Sequence, residues 1–178
     1  MTTALGIDPS TKATGLVHLY AADKIKVPQT LFAGTLVPKK LAGIDRAQWI
    51  VSEIMERITE WQPDVIVIEG YSLNMKNASS VIPLVELGGL LRFCLKLDGL
   101  SWADPRASEL KRFVTGKGNS DKDQVMLQVY KRWGFEPASN DIADAYGLAV
   151  MGLAYKGLLT NLTTIQNEVV GEMQLISN

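Results

Sequence analysis

Four carboxylates stand where an ordinary surface acid would not be expected. Glu69 closes the apolar run Val65-Ile66-Val67-Ile68, and Asp8 closes Ala4-Leu5-Gly6-Ile7 in the same way. An ionised carboxylate in such a place is destabilising unless it sits at the strand's open end or meets a cation. If the two strands are neighbours, both acids emerge at one edge of a sheet, where open α/β folds build their sites. Asp141 and Asp144 are three apart, so on a helix they share a face with Cβ atoms about 5–6 Å from each other. Converging carboxylates repel and raise each other's pKa unless a hard cation neutralises them. His18 is the only histidine and Cys94 the only cysteine, which excludes clustered imidazoles and thiolate zinc sites. An oxygen-only ligand set points to Mg²⁺, with Mn²⁺ able to substitute, at one or two ions. Such ions activate water and stabilise a leaving oxygen in phosphodiester hydrolysis. Each acid also has a purely structural reading. Asp144 could answer an Asp141 N-cap, Asp8-Pro9 could open a turn, and Glu69-Gly70 could end a strand. It is the joint occurrence that favours chemistry.

The elements that must position these acids are legible in outline. Residues 3–8, 15–20 and 30–37 read as three strands joined by turns, with Pro9-Ser10-Thr11-Lys12 and Pro28 between them. Ile44, Ala47, Ile50, Val51, Ile54, Ile58 and Trp61 recur at spacings of three and four, predicting a helix over 43–61 that Pro63 stops. Residues 64–69 are apolar on both alternating faces, the mark of a strand covered by helices on both sides. Val81, Leu84, Gly88, Leu91 and Leu95 predict a helix over 79–97. Two adjacent glycines inside it cost about 1 kcal/mol each relative to alanine, so close packing should compensate. A short strand over 100–103, a helix over 106–113 and a Gly-rich loop from Thr115 to Asn119 follow. Ser120 reads as the N-cap, with Asp123 at the third helical position, of a helix ending at Trp133-Gly134. A last helix is predicted from about 141 to 159. Together these make an α/β fold, a mixed five-stranded sheet with helices on both faces. Residues 1–160 read as one domain, and 161–178 as a C-terminal extension of unassigned structure.

Composition narrows the class further. The chain has 178 residues, 47% of them hydrophobic and 21% charged, with a net charge of −1. That suits one globular domain and excludes disordered, collagen-like and coiled-coil chains. It is not the bulk charge of a nucleic-acid binder, so charge must be read locally. Residues 106–132 hold Arg106, Lys111, Arg112, Lys117, Lys122, Lys131 and Arg132 against Glu109, Asp121 and Asp123. This is a plausible phosphate-binding face. Thr115-Gly116-Lys117-Gly118-Asn119 adds backbone N–H groups without the Walker A spacing. No run reaches 18 apolar residues and no signal-peptide pattern opens the chain. The expectation is a cytoplasmic or other reducing intracellular location, nucleoid-associated or organellar, with no membrane partner.

Gly6-Ile7-Asp8-Pro9-Ser10, then Ile68-Glu69, then Asp141-Ile142-Ala143-Asp144-Ala145, in this order and spacing, resemble the RuvC-type Holliday junction resolvases of the RNase H-like (retroviral integrase) superfamily. The resemblance spans roughly residues 3–157. It implies that Asp8, Glu69, Asp141 and Asp144 are metal-binding catalytic acids and that Lys122 acts near the scissile phosphate. It implies a homodimer that nicks two symmetric strands of branched, four-way DNA. The corresponding helix forms the two-fold interface in those enzymes, so Val81, Leu84, Gly88 and Leu91 are the expected dimer contacts. Lys111, Lys117 and Lys122 are expected at DNA phosphates. Gly70-Tyr71-Ser72-Leu73-Asn74 replaces the segment that supplies an aromatic wedge in those enzymes. Tyr71 and Leu73 are therefore candidate junction contacts, the alternative being that Tyr71 folds back over the 79–97 helix. Two rival functions are an actin-like or sugar-kinase-like phosphotransferase and a non-catalytic DNA-binding protein of the same fold. The phosphotransferases share a first strand ending in Gly-x-Asp, but their architecture needs two duplicated domains, for which the chain is short.

Overall fold

The computed structural model describes residues 1–71 and 78–177. Its sheet has the order β3-β2-β1-β4-β5. Strand β1 (Thr2–Asp8) pairs antiparallel with β2 (Thr14–Ala21), from Thr2 opposite Ala21 to Asp8 opposite Gly15. Strand β3 (Gln29–Leu36) continues the meander, with an irregularity in register between His18 and Leu19. Strand β4 (Val65–Ile68) lies parallel to β1, and β5 (Trp102–Ala103) lies parallel to β4.

Alternation along the strands sorts the core into two layers. Leu5, Ile7, Ile66 and Ile68 pack under α1 (Gly43–Trp61) and α2 (Ala78–Leu97). Ala4, Val65 and Val67 face α5 (Asn140–Tyr155), around which α3 (Ala107–Thr115), α4 (Lys122–Trp133) and α6 (Thr164–Glu172) assemble. Helix α5 is buried along nearly its whole length and crosses β1, β2 and β4. His18 and Cys94 are a core strand residue stacked on Trp61 and a half-buried helix residue. None of the described helices is long and apolar enough to cross a membrane.

Three details differ from the sequence reading. Asp121, not Ser120, caps α4 by accepting from the Gln124 N–H at 2.8 Å. The Ser120 hydroxyl is engaged elsewhere, 2.7 Å from the Thr115 hydroxyl and donating to the Lys117 carbonyl. The last predicted helix ends at Tyr155 rather than near 159. Gly157 turns into the left-handed region, and residues 158–160 exchange backbone hydrogen bonds with Ile25. Beyond it, the tail forms α6. A Thr163/Gln166 capping box starts this helix, Val169 buries into the core, and Ile176 bridges to Trp102 at the sheet edge.

Candidate active site

The parallel register of β1 and β4 sets Asp8 and Glu69 side by side, because both follow the paired residues Ile7 and Ile68. The Glu69 N–H donates to the Ile7 carbonyl at 3.0 Å, extending the ladder one residue past the strand. Beyond Asp8 the chain is fixed by buried Thr14. Its hydroxyl donates to the Ser10 carbonyl at 2.7 Å and accepts from the Ser10 N–H at 3.1 Å. Beyond Glu69, the Gly70 N–H donates to the Pro105 carbonyl at 2.8 Å.

The third acid arrives on α5. Ser139 caps this helix by accepting from the Ile142 N–H, so neither Asp141 nor Asp144 is used as a cap. What brings the helix down onto the strands is the absence of side chains beneath it. A Cβ at Gly6 would collide with the Ala145 carbonyl oxygen, and one at Gly15 with the Asp141 carbonyl oxygen. These two glycines are functional positions that sequence reasoning passed over. Gly6 was visible only as part of the motif.

Ligand oxygens of Asp8, Glu69 and Asp144 lie within 4.8 Å of one another. Asp141 stands outside that triad but near enough to act on it through space. Burial, then the charges of Glu69, Asp144 and Asp141, push the Asp8 carboxyl well above its ordinary range. Burial and then Asp144 push Glu69 up to about 7. Asp144 is raised by burial to about 6, with Asp141 adding to the rise. Lys122 lowers all three, and Lys111 lowers Glu69 and Asp144. Lys122 opens α4 and Lys111 lies on α3, so two helices deliver the cations that offset the acidic cluster. Lys117 is exposed on the loop between them and has no comparable influence on the acids.

The donor set suits a hard divalent ion, since three close oxygen ligands, Asp144 buried and Asp8 and Glu69 half-buried, repel each other and gain by neutralisation. Without one, the raised carboxyl pKa values let protons offset part of the repulsion.

Arg92 was not singled out from the sequence and proves central to this edge. Its guanidinium donates to the Glu69 carbonyl and the Gly88 carbonyl, each at 3.2 Å, with Nε 3.5 Å from an Asp104 carboxylate oxygen. It also lies over the Tyr71 ring, 4.4 Å from the centroid. The readable signal was an arginine set between apolar neighbours on α2, whose other charges are Glu86 and Lys96. Tyr71 thus folds back on α2, against Gly88, with one ring face under Arg92 and 40% of the residue exposed. That is the packed arrangement rather than a free wedge. Leu73 lies outside the described residues.

The expected dimer stripe is also placed differently. Leu91 is fully buried in the chain's own core and Gly88 lies under Tyr71, while Val81 and Leu84 are half-buried. The outward face of α2 instead carries Ile82, Val85, Phe93 and Leu97, all exposed.

Comparison with known proteins decides the family. The model of the crossover junction endodeoxyribonuclease RuvC family matches residues 4–152. The chain belongs to the RuvC family. RuvC of Syntrophomonas wolfei is 29% identical over 151 residues, covering 84% of this chain and 87% of that protein. RuvC of Chlamydia muridarum is 28% identical over 150 residues, covering 82% and 88%. The structure of T. thermophilus RuvC in complex with a Holliday junction substrate superposes with a TM-score of 0.76 at 17% identity, over 99% of this chain and 100% of that one. The fold is therefore that of RuvC, as the RNase H-like reading anticipated. This RuvC-family chain is an endodeoxyribonuclease, and the phosphotransferase alternative falls away.

Proposed function

We propose that this RuvC-family endonuclease resolves four-way DNA junctions by metal-dependent hydrolysis, with Asp8, Glu69 and Asp144 as the ion-holding carboxylates. The observation that carries this is the convergence of three acids from separate elements within 4.8 Å. It is supported by family membership and by the junction-bound relative of the same fold.

Bound Mg²⁺, or Mn²⁺ in its place, supplies charge neutralisation at the scissile phosphate and lowers the pKa of attacking water. The chain's own groups do the rest. Asp8 and Glu69, held by the β1–β4 register, would hold the ion at the sheet edge. Asp144 closes the set from above and Asp141 adds negative charge one helical turn earlier. Lys122 offsets negative charge as it grows on the phosphate, and Lys111 and Lys117 hold flanking phosphates. Because burial and mutual repulsion favour protonated acids, ion binding must release protons. Cleavage should therefore rise with pH through about 7, where Glu69 titrates. The products are 5′-phosphate and 3′-hydroxyl ends.

The active unit is a homodimer joined through the outward face of α2. Ile82, Val85 and Phe93 follow one another at helical spacing there, with Leu97 beyond, and leave a largely apolar face exposed, with Glu86 among them. A two-fold arrangement suits symmetric nicking. The reading is tested by incubating four-way, three-way, flap and linear DNA with Mg²⁺ or with EDTA. Paired nicks in the four-way substrate that vanish with EDTA are expected. EDTA-resistant cleavage, or equal cutting of linear duplex, would overturn it. Phe93→Glu should give monomers by sedimentation.

A further inference from the structure

A second charged cavity lies at the other end of the molecule. It is lined by Lys26, Lys131, Arg132, Thr160, Asn161 and Gln166 over buried Trp133, and no carboxylate contributes to it. None of its three cations takes part in an ion pair among the described residues. Arg132 Nε is buried without an acceptor. A desolvated donor of this kind is destabilising until something accepts from it.

The walls are built rather than incidental. Ile25 exchanges backbone hydrogen bonds with Leu158 and Thr160, both at 2.9 Å, and so carries Lys26 to the turn after α5. Asn161 holds that turn with a φ of 61°, and the Gln166 side chain caps Thr163 at 3.0 Å. Lys131 and Arg132 occupy the last turn of α4, where cations complement the helix dipole. The dipole does not account for Lys26, which comes from the β2–β3 connection. Asp141 and Asp144 lie at the N-terminal end of α5 and this cavity at its C-terminal end. The part of that helix from Asp144 to Tyr155 separates them, a rise of about 16 Å.

We propose that this cavity binds a phosphate group, with Lys26, Lys131 and Arg132 as the charged contacts. The phosphate could belong to a duplex arm or to a free phosphate-bearing molecule. Neither case depends on the nuclease reading, since the metal-binding acids are at the opposite end.

The test compares the wild type with a Lys26→Ala/Lys131→Ala double variant, whose changes are at exposed positions. Melting is followed with inorganic phosphate and with chloride at matched ionic strength. Duplex binding is followed as a function of salt using unbranched DNA. Phosphate at tenfold excess over its Kd should raise the wild-type Tm by about 3–6 °C and leave the double variant unmoved, which identifies a free anion as sufficient. If instead only the salt slope of duplex binding falls, by about 0.9 for each DNA phosphate no longer neutralised, the phosphate is that of DNA. Arg132→Gln should weaken whichever response is seen. Equal phosphate responses together with equal salt slopes in wild type and double variant would overturn the proposal.

Discussion

The two ends of α5 carry charge clusters of opposite sign, and burial makes them behave differently. At the N-terminal end, Asp8, Glu69 and Asp144 are packed among β1, β4 and the helix, and their charged forms are disfavoured enough to shift protonation toward neutral pH. At the C-terminal end, Lys26 and Lys131 remain exposed and their charges are solvated. The acidic end therefore stores a demand for a cation that protons or metal must meet. The basic end can wait, with a single desolvated guanidinium nitrogen as its cost. A buried cluster of one sign is a site that must be filled, whereas an exposed one is a site that can be.

The largest expected effect follows from removing that demand. Asp8→Asn or Glu69→Gln should reduce cleavage 10²-fold or more, since positioning a metal contributes several kcal/mol to the transition state. The same changes remove repulsion, so the metal-free Tm at pH 8 should rise by about 2–4 °C, the effect of about 1 kcal/mol in a chain of this size. Thermal melts alongside single-turnover cleavage check both. Abolished cleavage with lowered stability would mean that these carboxylates serve the fold.

The pH dependence sharpens the contrast. A carboxyl whose folded pKa is raised binds more protons folded than unfolded, so stability is highest below its ordinary pKa and falls as pH rises. For Asp144 and Glu69 that fall runs from about 4 up to about 6 and about 7. Metal-free protein should therefore melt higher at pH 5 than at pH 8, and Mg²⁺ should raise the Tm at pH 8 but hardly at pH 5. Calorimetry with and without EDTA reads this. A Tm independent of pH over this range would place the acids in water.

Arg92 bears on how the acidic edge is held. Arg92→Ala removes the donor to the Glu69 carbonyl and leaves Asp104 without its cation. Cleavage should fall about tenfold, taking the loss of a hydrogen bond and its positioning as about 1.4 kcal/mol. Mn²⁺ affinity measured by titration calorimetry should weaken as well. Arg92→Lys should recover stability more than metal affinity, because an ammonium cannot span the Glu69 and Gly88 carbonyls together. If lysine restores both, only the charge matters.

How much of this was legible depended on what each element had to signal. Asp8 and Glu69 could be read because an acid ending an apolar strand has few structural reasons to be there. The boundaries of α1 were readable because one face is apolar and Pro63 follows. The orientation of α2 was not. It carries apolar residues all round, Leu87, Leu91 and Leu95 inward and Ile82, Val85 and Phe93 outward, so periodicity could not choose a face. Helix α6 is short and weakly patterned, although Thr163 and Gln166 spell a capping box. Gly6 and Gly15 show why a site is more than its reactive groups. Their role is to be absent beneath α5, and only the packed helix reveals it.

The smallest expected effect concerns the cations beside the acidic end, and it separates two roles that sequence alone had merged. Lys111 and Lys122 act on the acids, whereas Lys117 is exposed on the intervening loop. Each lysine that meets a duplex phosphate should lower the salt slope of log K by about 0.9 when changed to alanine. Only Lys111→Ala and Lys122→Ala should also move the pH at which cleavage is half-maximal, upward, because both cations favour the ionised Glu69 and Asp144 and their loss makes those protons harder to remove. Lys117→Ala should change the slope and leave the pH profile in place. Binding titrations over a salt series and single-turnover rates over a pH series give the two readouts independently. A shifted profile in Lys117→Ala would mean that the loop reaches the acids in the DNA complex. Unchanged slopes in all three variants would mean that the segment from α3 to α4 faces away from the DNA.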